Sequence, residues 1–209
     1  MTSERGVFIT FEGIDGSGKS TQAKLLAQSL SEAGRDVVLT REPGGSEGAE
    51  EIRRLLVEGD PERWSAHTEI LLFTAARRDH LEKTIEPALR RGAIVISDRF
   101  TDSTRVYQGA ARDDLRELVD TVHRLMIGRE PDLTFVLQTD PETSLARGLA
   151  RRSGEDRFED LGLGFQERLR DGFNGLCADF PDRCRPIDGN REAEEIAAEI
   201  SELAGNYLG

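Results

Sequence analysis

Eight consecutive residues, Gly13-Ile14-Asp15-Gly16-Ser17-Gly18-Lys19-Ser20, fit G-x-x-x-x-G-K-[ST] without a gap. An apolar run, Val7 to Phe11, precedes them. Thr21 to Ala33 follows, with Ala23, Leu26, Ala27 and Leu30 at helical spacing. Strand, glycine loop and helix in this order constrain the chain more than any other feature. Glycines let the backbone curl until successive N–H groups face one point, and the helix N-terminus adds partial positive charge there. Such a loop cradles nucleotide phosphates. Lys19 can reach the β- and γ-phosphates of ATP, and the Ser20 hydroxyl can ligate Mg²⁺. Gly13 to Thr21 is the expected ATP-binding segment.

The rest of the chain alternates apolar runs with helical patterns. Asp36–Thr40, Ala93–Ser97, Leu133–Leu137 and Arg185–Ile187 read as further strands. Helical spacing covers Glu47–Val57, Ser65–Arg90, Leu115–Met126, Pro141–Ala150, Phe158–Cys177 and Glu192–Tyr207. Pro87 interrupts the longest of these, so a kink or break is expected there. The alternation implies an α/β fold, a parallel sheet of about five strands flanked by helices. With 209 residues, one domain over 1–209 is expected.

Charge narrows the partners. A net charge of −12 argues against a duplex nucleic-acid binder, yet local arginines can still build an anion pocket. Lysine occurs only at 19, 24 and 83. Many acids with few lysines fit either a high-salt cytoplasm or a GC-rich genome. No apolar run approaches a membrane span, and the N-terminal residues have neither signal nor transit character, so a cytoplasmic location is expected. Cys177 and Cys184 make neither a zinc site nor a disulfide framework. His67, His80 and His123 lack metal spacing, and Trp64 reads as a packing residue.

A switch GTPase, a regulatory ATPase and a small-molecule kinase share the glycine loop. The lysine positions exclude an Asn-Lys-x-Asp guanine reader. Asp98 and Arg99 end an apolar strand, at the edge where open α/β sheets bind ligands. Asp98 can support Mg²⁺ there, directly or through water. Arg41 and Arg99 can clamp a phosphate, since guanidinium matches its oxygens bidentately. Phe73 and Arg77 lie four apart on one helix face; spacing alone favours a core phenylalanine and a surface arginine.

Four segments add to the loop: TREPGG at 40–45, LLFTAAR at 71–77, SDRF at 97–100 and STRVYQG at 103–109. With EGIDGSGKST, in this order, the chain resembles the thymidylate kinase family from Gly6 to about Arg157, and more weakly beyond. The resemblance implies a three-layer P-loop kinase fold with a short lid at about 148–158. It implies transfer of the ATP γ-phosphoryl group to dTMP, with Mg²⁺, in a homodimer. On it, Arg41 and Arg99 hold the acceptor phosphate, and Phe73 and Arg77 read thymine. Thr104 reaches the base edge, Tyr107 crowds the sugar, and Asp15 lies near the 3′-hydroxyl. Ser103 and Gln108 are polar supports, and residues 188–190 border the adenine. Some members carry a catalytic arginine in the loop, where this chain has Gly16; others supply it from the lid. Arg151 or Arg157 is then expected to act beside Lys19 and Arg99, with Arg147 nearer the adenine. A solvated arginine run is the alternative for Arg147, Arg151, Arg152 and Arg157.

Overall fold

The computed structural model describes residues 5–60, 63–110, 115–144 and 163–209. Five strands form one parallel sheet: β1 (Val7–Glu12), β2 (Val37–Arg41), β3 (Ile94–Asp98), β4 (Leu133–Gln138) and β5 (Cys184–Asp188). Their spatial order is β2-β3-β1-β4-β5. The helices are α1 (Lys19–Glu32), α2 (Glu47–Val57), α3 (Ala66–His80), α4 (Glu86–Arg90), α5 (Thr101–Thr104), α6 (Arg116–Met126), α7 (Leu163–Asp179) and α8 (Ala193–Leu208).

Strand alternation sorts the core into two sides. Ile9, Phe11, Ile94, Ile96, Leu133 and Phe135 face α1 and α8, where Leu26, Ile196 and Ile200 cover them. Phe8 and Val95 point the other way, against Leu81, Ile85, Leu89 and Phe100. Val136 shares that second side with Ile14, Val106, Leu169 and Phe173. Sheet between two helical layers is the expected three-layer arrangement.

Two stretches depart from a regular α-helix. At Pro87, where a kink or break is expected, the helix does not end. Instead α3 continues through a π-helical turn, Leu81–Ile85, into α4, and the Glu86 N–H reaches back to the Leu81 carbonyl. The widened turn comes just before the proline, whose ring would crowd the carbonyl four residues earlier in a regular helix. The second stretch follows β3. There α5 runs on as a π-helical segment, Arg105–Ala110, which no apolar period announces. It delivers the residues of the fourth acceptor segment.

The ligand crevice follows from the topology. β1 sends its connection towards β2 on one side, and β3 sends its connection to β4 on the other. Between the carboxyl ends of two such strands an open sheet leaves a cleft.

Candidate active site

The glycine loop occupies the end of β1. Gly13, Gly16 and Gly18 have φ of 140°, 81° and 97°, values that side chains resist. Lys19 is buried, and its Nζ donates to the Ile14 carbonyl at 2.7 Å. Burial and the neighbouring Arg99 charge bring its ammonium down to about 8, while Asp15, Asp98 and Glu12 resist. The Ser20 hydroxyl donates a short hydrogen bond to Asp98 Oδ2. These two hard oxygens fit Mg²⁺, which takes one or two protein oxygens and fills its shell with water and substrate phosphates.

Arg99 holds the junction between loop and cleft. It is the one non-glycine at positive φ, 72°, among the described residues. Its Nη1 donates to the Gly13 carbonyl at 3.3 Å and to Ser103 Oγ at 2.8 Å. Its Nη2 donates to Asp15 Oδ1 and, at 3.2 Å, to the Tyr107 hydroxyl. Burial disfavours the guanidinium charge, but Tyr107, Asp15 and Asp98 outweigh it. Burial likewise opposes ionisation of Asp15, yet Arg99, Lys19 and the Tyr107 hydroxyl hold its carboxyl at about 2. Tyr107 donates to Asp15 Oδ2 at 2.8 Å, and burial keeps its phenol protonated well above the ordinary range.

One cleft opens from this junction, with Asp15 and Arg99 in its wall beside Phe73, Arg77, Thr104 and Tyr107. Ser103 and Gln108 line it as well. Phe73 is half-buried and belongs to the cleft, not to a core cluster. Arg77 is buried, contrary to the bare spacing argument. Its Nε donates to Glu42 Oε2 at 2.7 Å, and its Nη2 to the Phe100 carbonyl and Thr104 Oγ1, both at 3.1 Å. Its Nη1 has no partner among the described residues. Gln108 donates to the buried Glu69 at 3.1 Å. Arg41 stands apart. It ends β2 opposite Asp98, but its half-exposed guanidinium lies 3.3 Å from both Glu50 oxygens, outside the cleft lining.

Residues 11–200 match the family model described as thymidylate kinase. The chain belongs to the thymidylate kinase family. It is 64% identical to a thymidylate kinase of Ruegeria pomeroyi over 206 residues, 99% of this chain and 98% of that one. A thymidylate kinase of Dinoroseobacter shibae is 68% identical over 198 residues, covering 95% and 96%. A crystal structure of thymidylate kinase from Ehrlichia chaffeensis superposes with a TM-score of 0.78 at 38% identity, covering 96% of this chain and 98% of that one.

The expectation of an arginine from outside the loop turns on Gly16. A Cβ there would stand 2.1 Å from the Ser144 carbonyl oxygen, so the loop has no room for a side chain at this position. Arg147, Arg151, Arg152 and Arg157 lie outside the described residues, as does the lid segment.

Three charged residues in or behind the cleft were given no role by the sequence reading. Glu12 is fully buried beside the Arg99 turn. Glu42 holds Arg77 and also meets His80 Nδ1 at 3.1 Å, whose Nε2 lies 2.7 Å from Thr40 Oγ1. Arg53 lines the cleft and donates a short bond to the Pro43 carbonyl. Helical period could have flagged Arg53, since Ala49, Arg53 and Leu56 share the inward face of α2.

Proposed function

We propose that this chain transfers the γ-phosphoryl group of ATP to dTMP, giving ADP and dTDP. The observation that carries the reading is the shared wall. Asp15 of the glycine loop and Arg99 of the β3 turn line the same cleft as Phe73, Arg77, Thr104 and Tyr107. A pyrimidine nucleotide seated with its base by Phe73 and Arg77 therefore directs its phosphate towards the loop.

Phosphoryl transfer requires alignment and neutralisation of charge more than covalent chemistry. An acceptor phosphate oxygen forms the new P–O bond as the bond to ADP breaks. That oxygen is already ionised at neutral pH, so no side chain need take a proton. Lys19 leaves the Ile14 carbonyl for the β- and γ-phosphates. Ser20 and Asp98 would hold Mg²⁺, which supplies charge neutralisation on those phosphates. Arg99 keeps Nη1 on Ser103 and turns Nη2 from Asp15 to an acceptor oxygen, and Asp15, released, turns to the 3′-hydroxyl. Arg77 offers Nη1 to a base carbonyl, and Thr104, whose oxygen accepts from Arg77, keeps its proton for the base edge. Arg151 or Arg157 completes the charge on the transferred group. The crowding at Gly16 supports a source outside the loop.

Coupled ADP release tests this, with ATP, Mg²⁺ and each nucleoside monophosphate in turn. ADP production that depends on an acceptor and is fastest with dTMP is the expected result. ADP released equally fast without any acceptor overturns the reading.

A homodimer is proposed on the same footing. Leu71 of α3 and Leu125 and Met126 of α6 are exposed at 62%, 73% and 52%. The two helices pack together, with Arg78 Nη1 bonded to the Met126 carbonyl at 2.9 Å.

A further inference from the structure

Glu12 ends β1, one residue before the glycine loop, and its side chain is fully buried. β1 and β3 pair in register as far as Phe11 and Asp98. Beyond that pair, Glu12 faces the turn made by Arg99 and Phe100. Its Oε1 accepts from the Phe100 N–H at 2.8 Å and the Ser103 N–H at 3.3 Å. Its Oε2 accepts from the Ser103 hydroxyl at 2.6 Å. That same hydroxyl oxygen accepts Arg99 Nη1 at 2.8 Å.

We propose that Glu12 is a positioning residue for acceptor binding, acting on Arg99 through the hydroxyl of Ser103. Above about pH 7 the Glu12 carboxylate is ionised and has no proton to donate. Ser103 must therefore send its single proton to Glu12, which turns an oxygen lone pair towards Arg99. A neutral amide would satisfy the two backbone N–H groups equally well. Its NH₂ would donate to Ser103, however, and free the hydroxyl proton to oppose the guanidinium. The acid thus fixes the direction of one hydrogen bond on the arginine that meets the acceptor phosphate. The inference rests on that reading of Arg99.

The test compares Glu12→Gln, Ser103→Ala, the double variant and Arg99→Lys in the full chain. At pH 8, where Glu12 is mostly ionised, affinities for dTMP and for ATP are measured separately by calorimetry, and kcat at saturation. Glu12→Gln should weaken dTMP binding by about tenfold, the scale of one hydrogen bond to a charged group. ATP affinity should stay within about twofold, since Lys19 and the loop amides that take the phosphates are untouched. The double variant should bind dTMP no worse than the weaker single variant, because both remove one chain of contacts. Unchanged dTMP affinity in Glu12→Gln, losses that multiply in the double variant, or equal weakening of both nucleotides would each overturn the proposal. If Glu12→Gln does not fold, Ser103→Ala decides alone, with unchanged dTMP affinity as the overturning result. Arg99→Lys separates the two layers: dTMP affinity unaffected by that change removes the clamp itself.

Discussion

Glu12 illustrates how a single residue is kept at the expense of stability. Burial foremost, then the like charge of Asp102 on α5, raises its carboxyl to about 7; Arg99 and the bonds from Ser103 and Phe100 oppose the rise. Lys19 at the head of α1 and the Cys184 thiol of β5 also face it electrostatically. An unfolded glutamate titrates near 4.3. Between that value and about 7 the folded chain therefore binds more protons than the unfolded one. Stability from this group falls as pH rises through the window and levels off above it. Glu12→Gln should remove the decline, so that its melting temperature exceeds that of the parent at pH 8 and the difference shrinks by pH 5. A constant difference across that range would show that the carboxylate is not strained by burial. The sequence did mark Asp98 and Arg99, because they end an apolar run. Glu12 ends another such run by the same logic, but the adjoining glycine motif drew the whole reading to itself. Arg77 was hidden differently: its burial depends on Glu42, thirty-five residues earlier, and no local period reports a partner at that distance.

At the level of elements, the strands and most helices were legible because each buries a regular face. The π-helical turn ahead of Pro87 and the segment from Arg105 to Ala110 were not, since neither repeats at 3.6 residues. The glycine loop was legible as a motif, but its tight approach to the segment after β4 was not. That approach makes a sharp expectation. Gly16→Ala combines φ of 81° with a Cβ only 2.1 Å from Ser144 O. Gly34→Ala meets a similar φ of 80° at the end of α1, with nothing within 4 Å. Gly34→Ala should cost about 1 kcal/mol and leave ATP binding alone. Gly16→Ala should cost about 1–3 kcal/mol and weaken ATP binding, because the loop must move to relieve the contact. Urea unfolding and ATP calorimetry on both variants check this. Equal behaviour would assign the whole effect to backbone angle.

For the whole molecule, the exposed leucines of α3 and α6 carry the assembly expectation. Leu71→Glu with Leu125→Glu should convert a dimer to a folded monomer in sedimentation, since two charges per subunit would enter an apolar interface. An unchanged sedimentation coefficient would move the interface elsewhere. The acidic composition bears on the site in another way. Arg99 already faces Asp15, and Arg77 already faces Glu42, before any nucleotide arrives. With a net charge of −12 around them, these arginines project little attraction into solvent. An approaching dianion is not drawn in from afar; it gains favourable energy only at contact, by taking the place of a carboxylate. Encounter is thereby uncoupled from grip. A small anion gains little at the mouth of the cleft, and residence favours a molecule shaped to reach Arg99 and to satisfy the Asp15 carboxylate it displaces.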